Sequence, residues 1–210
     1  LGDTEVLIYY GAPKPYTVRQ EIYIDFLPGE SYVSPGVWKI QLNPGSIVDK
    51  EWQMWLPAQA ALNVGTAFLS PNSATTLTIP STASLVITVA AYDGLTFTYA
   101  DFSGRGPARV YEGTGVTKPD LAAPGVNVTA PVVGGGYARF TGTSFATPFV
   151  TGSAALLMEW GIVRGNDPYL YGEKVKAYLR RGARELTGYK EWPNGVLGYG
   201  ALCLKNSLPN

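Results

Sequence analysis

The chain has 210 residues, of which 46% are hydrophobic and 15% are charged, a globular composition that excludes a disordered chain. Lys and Arg together number 16, and so do Asp and Glu, so no charge excess exists to attract nucleic acid or an acidic membrane. The sequence contains no histidine, which is the usual general base beside a serine nucleophile. Serine chemistry in this chain would therefore need a base from elsewhere.

Cysteine content and apolar runs limit the possibilities further. Cys203 is the only cysteine, so no internal disulfide can form, and we interpret it as a small buried hydrophobe. No apolar run reaches the length of about 18 residues that a membrane span needs, and the N-terminus has no signal-peptide pattern. The sequence predicts neither a membrane span nor a metal or cofactor site.

Residues 1–77 alternate short β-rich runs with Pro-Gly turns, which predicts an all-β sandwich or jelly roll. The runs occupy residues 6–10, 21–26, 37–42 and 51–56, and the turns occupy residues 28–29, 35–36 and 44–45. Trp38, Trp52 and Trp55 are expected in the core, because alternate tryptophans in strands usually fill a core. A sugar-binding surface made of these rings is the alternative.

Residues 78–210 have the mixed pattern of an α/β domain. The nearly apolar run at 85–91 predicts a strand covered on both faces. Two further strands are expected at 126–130 and 138–141, joined through the three glycines 134–136.

Two helices are predicted after these strands. The first, residues 144–160, has almost no polar face and should lie in the middle of the domain. The second, residues 172–181, should lie on the surface and end at Gly182, with Val175 and Leu179 inward and Lys176 among the cations directed mostly elsewhere.

Residues 142–148, Gly-Thr-Ser-Phe-Ala-Thr-Pro, follow a predicted strand and open the first helix. Ser144 would lie in the first helical turn, where free backbone N–H groups and the positive end of the helix dipole stabilise negative charge. Gly142 leaves room for a substrate backbone, and Thr143 is placed to cap the helix. An ordinary capped core helix is the alternative interpretation of this stretch alone.

Several stretches together resemble the subtilase family of serine peptidases, in the family's order and at its spacing. The similar stretches are residues 86–91, 101–107 (Asp-Phe-Ser-Gly-Arg-Gly-Pro), 118–126 (Lys-Pro-Asp-Leu-Ala-Ala-Pro-Gly-Val), 142–157 and 198–200. The resemblance implies a subtilisin-like α/β domain over residues 78–210, with Ser144 as catalytic nucleophile and Gly142, Thr143 and Phe145 at the substrate.

The family's triad runs Asp, His, Ser along the chain, and only the serine matches here. The motifs for its aspartate, histidine and oxyanion asparagine precede the region covered, so the chain is expected to be the C-terminal part of a longer protein and inactive alone. Asp101 and Asp120 match structural positions of the motifs and are interpreted as turn and capping residues.

The β-rich segment 1–77, placed before the 86–91 strand, resembles the insertion of the Csp germination proteases of anaerobic bacteria. This resemblance implies an inserted jelly-roll domain and favours a secreted location or association with the spore or cell envelope. The function it implies is a serine endopeptidase that acts on proteins or peptides through an acyl-enzyme.

Two rival functions and two further expectations accompany this interpretation. A catalytically inactive subtilase used in signalling or binding is the first rival function, and a carbohydrate- or protein-binding β module is the second. The Asn127-Val128-Thr129 sequon is interpreted as a chance match. The resemblance also predicts that the Ile79–Pro80 peptide bond is cis, a geometry open to proline because the trans preference of X–Pro is only about 0.5–1 kcal/mol.

Overall fold

The computed structural model describes residues 2–12, 15, 20–30, 32–43, 52–107 and 117–209. It divides the chain into two units, Leu1–Gln53 and Met54–Asn210. The sequence predicted a boundary near residue 77. Residues 75–77 instead pair with the second unit, because Thr75 N–H donates to Gly106 O at 3.0 Å and Thr76 N–H donates to Arg105 O at 2.8 Å.

A β-hairpin forms the sheet of the first unit. Strands β1 (Thr4–Tyr10) and β2 (Ile22–Pro28) pair antiparallel from Thr4 opposite Pro28 to Tyr10 opposite Ile22. β-branched and aromatic residues make up most of both strands, as their β-propensity favours. Trp38 packs edge-on against Phe26 of β2 with the ring centroids 4.9 Å apart.

Other runs predicted as strands in residues 1–77 do not form ladders. Residues 37–42 and 52–56 are described without strand pairing, and the turn at 44–45 and residue 51 lie outside the described residues. A run with β-propensity needs a neighbouring strand to satisfy its backbone groups, and no neighbour pairs with these runs in the described part of the unit. The jelly roll therefore stays a prediction.

The tryptophan prediction was wrong for two of the three rings. Trp38 is half-buried, but Trp52 and Trp55 have 65% and 59% of their surface exposed. Trp55 donates its indole N–H to the carbonyl of Thr75 at 2.7 Å, which fixes one ring edge and leaves much of the ring in solvent.

Two parallel strands form the centre of the second unit, β3 (Val89–Tyr92) and β4 (Leu121–Pro124), with Val89 opposite Leu121. The predicted strand at 85–91 begins late. The backbone groups just before it form hydrogen bonds to side chains instead. Lys118 Nζ donates to Val86 O at 2.6 Å, and the Asp120 carboxylate accepts from Thr88 N–H at 2.6 Å. These groups are then not available for a ladder.

A second hairpin leads into the long helix. Strands β5 (Val128–Pro131) and β6 (Tyr137–Phe140) pair antiparallel. The turn between them contains Gly134, Gly135 and Gly136 with φ of 86°, 96° and 90°, angles that glycine adopts without steric penalty. The predicted pair of strands and their glycine turn are confirmed.

Helix α1 (Thr143–Met158) continues into a π-helical turn at Glu159–Val163. One face, with Ala146, Val150 and Leu157, is buried in the core. The helix was expected in the middle of the domain, but within the described part of the chain only this face is covered. Phe149 and Leu156 lie on one side of this buried face, at 43% and 55% exposure, and Met158 lies on the other side, at 43% exposure.

Thr143–Val163 is long and apolar enough to cross a membrane by length and composition alone. Core helices of globular domains meet the same criterion. The packing of α1 against β3 and β4 is that of a core helix.

Helices α2 (Gly172–Gly182) and α3 (Leu204–Ser207) complete the second unit. Val175 and Leu179 face the core as predicted. Lys176 was expected mostly outward but has only 6% of its surface exposed. Gly182 is the last residue of α2, and a Cβ there would lie 2.5 Å from the Cα of Ser207, so only glycine fits against α3.

The Ile79–Pro80 bond is cis, which confirms the prediction for this bond. Lys118–Pro119 and Trp192–Pro193 are also cis.

Candidate active site

Ser144 is the second residue of α1 and is exposed. β6 ends at Phe140, so the strand delivers the chain to the helix start within a few residues. The backbone N–H groups of the first helical turn have no partner within the helix and carry the positive end of its dipole. A hydroxyl in this position lies where a developing oxyanion would be stabilised.

Gly142 is the residue immediately before the helix, with φ 154° and ψ 158°. This backbone region is essentially restricted to glycine. Its N–H donates to Gly125 O at 2.8 Å, and its carbonyl accepts from Phe145 N–H at 3.0 Å. Thr143 does not cap the helix as predicted, because it is already the first helical residue. The Thr143 carbonyl instead accepts the Thr147 hydroxyl at 3.0 Å.

Phe145 stacks on Phe140, the last residue of β6. Their ring centroids are 4.9 Å apart and the rings are inclined by 13°. This contact joins the strand before the serine to the helix after it, so the first turn of α1 is held from both directions.

Asp120, interpreted from sequence as a turn or capping residue, lies at the centre of a buried charge cluster. Its side chain is 0% exposed. One carboxylate oxygen accepts from Thr88 N–H at 2.6 Å and from Lys118 Nζ at 2.9 Å. The other accepts from Arg180 Nε at 3.0 Å and forms an ion pair with Lys176 Nζ at 3.0 Å. We call these four side chains, Lys118, Asp120, Lys176 and Arg180, the Asp120 cluster.

Each ammonium group of the Asp120 cluster has a full set of acceptors. Lys118 Nζ also bonds Val86 O at 2.6 Å and Thr88 Oγ1 at 3.1 Å. Lys176 Nζ also bonds Ser84 O at 2.6 Å and Val86 O at 2.9 Å. Because a lysine ammonium has three donors, both groups are satisfied as cations.

The cluster shifts two pKa values. Burial alone would raise the pKa of the Asp120 carboxyl, but the Thr88 N–H and the ammonium groups of Lys118 and Lys176 outweigh it, so the pKa lies below its ordinary value. Burial lowers the pKa of Lys118, and its bond to Asp120 only partly offsets this. The carboxylate is therefore ionised at neutral pH.

Asp101 lies in an exposed turn, in agreement with its interpretation as a turn residue. Asp120 was interpreted as a turn or capping residue, but the structure buries it among three cationic side chains. Two sequence features could have indicated the cluster: Lys118 lies two residues before Asp120, and Lys176 and Arg180 lie one helical turn apart and so share one side of the predicted helix. No group of His, Cys, Asp and Glu side chains suited to a metal ion occurs in the described ranges.

The subtilase family model matches residues 37–200 of the chain. The structure is similar to that of the Clostridium perfringens CspB protease, at 38% identity and a TM-score of 0.82, covering 99% of this chain and 42% of that one. Serine protease AprX of Bacillus subtilis is 34% identical over 154 residues, which are 64% of this chain and 32% of AprX. The PatA patellamide maturation protease is similar at 30% identity and a TM-score of 0.51, covering 65% of this chain and 46% of that one. The chain thus spans less than half the length of these relatives.

Proposed function

Because the chain belongs to the subtilase family, we propose that it is the C-terminal part of a serine endopeptidase in which Ser144 is the nucleophile. The observation that carries this proposal is the place of Ser144, exposed in the first turn of α1 directly after β6. The relatives CspB and AprX are named as a protease and a serine protease, which supports the same activity. The substrates would be proteins or peptides.

The proposed reaction is acyl transfer in two steps. Ser144 Oγ attacks the scissile carbonyl as its proton passes to a base, and the backbone N–H of Ser144 donates to the oxyanion. Collapse of the tetrahedral intermediate breaks the peptide bond as the base returns the proton to the leaving amine, and water then hydrolyses the acyl-enzyme to the carboxylic acid and free Ser144. Gly142 would leave space for the substrate backbone, Thr143 would hold the strand-to-helix turn beside it, and Phe145 would form the wall on the leaving-group side.

The base and its orienting carboxylate would come from another part of the protein, since the chain contains no histidine. The exposed apolar face of α1 supports this arrangement. Phe149 and Leu156 lie seven positions apart on one side of α1 and are exposed, and a domain that continued beyond this chain would bury them. The shares of CspB and AprX that the chain spans, 42% and 32%, leave room for such a part.

We propose that the β-rich segment is an inserted β domain that stiffens the peptidase domain or docks a substrate. The β1–β2 hairpin is consistent with this, although a jelly roll needs more strands than the described residues pair. The exposed rings of Trp52 and Trp55 keep the carbohydrate- or protein-binding alternative for the segment open. An inactive subtilase is less favoured, because the serine is retained and the relatives named here are proteases.

An active-site-directed fluorophosphonate tests the proposal. The complete protein should be labelled at Ser144, and the label should disappear in Ser144→Ala but persist in Ser70→Ala, which changes an exposed serine elsewhere. The 210-residue chain alone should react little, because a helix N-terminus barely lowers the pKa of a serine hydroxyl. Absence of labelling in the complete protein would contradict the activity. Fast labelling of the chain alone would show that it contains a base of its own.

A further inference from the structure

The Asp120 cluster joins three segments that are distant in sequence. Asp120 immediately precedes β4, Thr88 immediately precedes β3, and Lys176 and Arg180 project from α2. The side chains of Lys118, Lys176 and Arg180 are only 6%, 8% and 20% exposed, so their contacts to the carboxylate are little screened by water. The carboxylate therefore fixes the start of both parallel strands against one helix.

β4 transmits this constraint along its length. Leu121, Ala122 and Ala123 are all 0% exposed. Besides its pairing with β3, Ala122 accepts from Leu202 N–H at 2.8 Å and donates its own N–H to Gly200 O at 2.8 Å. A strand held on both edges and packed on both faces cannot slide alone.

The other end of β4 contacts the start of α1. Gly125 follows the strand, donates its N–H to Tyr92 O at 2.9 Å and accepts from Gly142 N–H at 2.8 Å. A Cβ on Gly125 would lie 2.7 Å from the Cβ of Ala91 and 3.0 Å from Gly142 O. The residues after β4 and before α1 are therefore tightly packed against each other. Gly142 is two residues before Ser144.

We propose that Asp120 is a positioning residue for Ser144, acting through β4 and the Gly125–Gly142 hydrogen bond over roughly 16 Å, the span of five strand residues. The inference rests on the proposed function of Ser144. Two buried ammonium groups and one partly buried guanidinium surround the single carboxylate. A neutral amide in its place leaves them repelling one another, which displaces α2 and the residues before β3 and frees β4 to shift.

Asp120→Asn and Asp167→Asn form a matched pair for the test. Asp167 also holds α2, through Lys174 Nζ at 2.6 Å and the Tyr178 hydroxyl at 2.9 Å, but none of its bonds described here reaches β4. Both variants would be made in the complete protein and studied well below the unfolding temperature of each. The readouts are kcat and KM on a peptide substrate, the rate of fluorophosphonate labelling, and amide hydrogen exchange at Gly142.

We expect Asp120→Asn to lower kcat and the labelling rate about tenfold with KM within twofold, and to speed exchange of the Gly142 amide. Asp167→Asn should leave all three within twofold of the wild type. Equal effects of the two variants, or unchanged Gly142 exchange in Asp120→Asn, would overturn the proposal. If the wild type is not labelled at all, the proposed function fails, and Gly142 exchange still decides the role of Asp120.

A milder variant covers the case in which Asp120→Asn does not fold. Arg180→Lys keeps the positive charge but loses the planar guanidinium, whose Nε and NH2 both bond one carboxylate oxygen. It should speed Gly142 exchange by a smaller factor in the same direction. Unchanged exchange in a folded Arg180→Lys protein would count against the coupling.

Discussion

Two adjacent leucines on α1 offer a direct test of which helix face belongs to the core. Leu157 is 0% exposed and packs within the main hydrophobic cluster, whereas Leu156 is 55% exposed. Each would be replaced by Ala in the 210-residue chain. The two substitutions remove the same atoms from neighbouring positions of one helix, so helix propensity cancels between them.

The expected free energies of unfolding differ strongly. Leu→Ala at a fully buried site costs about 2–5 kcal/mol, through lost transfer free energy and the cavity left behind. Full burial of a leucine side chain contributes about 1.5–3 kcal/mol, so Leu156→Ala at 55% exposure should cost about 1 kcal/mol or less. The difference between the variants should thus exceed about 1 kcal/mol.

Urea unfolding followed by circular dichroism measures this difference as a shift of the midpoint at constant m. Equal losses in the two variants would refute the assignment of the core face. The same pair in the complete protein tests the proposed covering of α1. There Leu156→Ala should approach the loss seen for Leu157→Ala, and a loss still below about 1 kcal/mol would contradict the covering.

Three further predictions concern two glycine substitutions and the effect of acid on stability. Gly182→Ala should lower the unfolding midpoint, by about 1–3 kcal/mol in free energy, because the new Cβ meets Ser207. Gly152→Ala in α1 should stabilise the chain by about 0.5–1 kcal/mol, since no atom lies within 4 Å of the added Cβ. A stabilising effect of Gly182→Ala would refute the first of these predictions, and a destabilising effect of Gly152→Ala would refute the second. The pKa of Asp120 and, through the Lys174 hydrogen bond, that of Asp167 lie below the ordinary carboxyl value. The contribution of these two carboxylates to the free energy of unfolding should therefore be fully present above about pH 4, the ordinary carboxyl pKa, and should be lost as the pH falls through their lower pKa values in the folded protein. Urea midpoints between pH 6 and pH 2 check this, and a flat profile would contradict it.

Local signals predicted the elements that depend on local chemistry. The glycines at 134–136 predicted the β5–β6 turn, because glycine adopts the positive φ angles of this turn without steric penalty. The start of α1 was placed within a residue of Thr143, since the change from a strand to a helical pattern is visible in sequence. The order of motifs gave the family, which the match over residues 37–200 confirms.

Exposure was predicted less well, because it depends on what packs against a residue. An apolar run shows that a face prefers burial, but it does not show whether the same chain supplies the cover. Phe149 and Leu156 illustrate this on α1, and Trp52 illustrates it in the β-rich segment. The roles of Gly142, Thr143, Ser144 and Phe145 remain predictions for the same reason: in the proposed function, the base and the substrate that would act on them are not part of this chain.

Lys176 shows why polarity alone misplaces a charged residue. It adjoins Val175 on α2, at the border of the apolar face, and a pattern that sorts side chains by polarity turns it towards solvent. Burial of its ammonium is favourable only because Asp120, 56 positions earlier in the chain, presents a carboxylate there, and Ser84 and Val86 present carbonyls. The decisive partners are thus non-local. A Lys or Arg at the edge of the apolar face of a helix is therefore a candidate for burial when the fold also places a carboxylate just before a buried strand that packs against that helix.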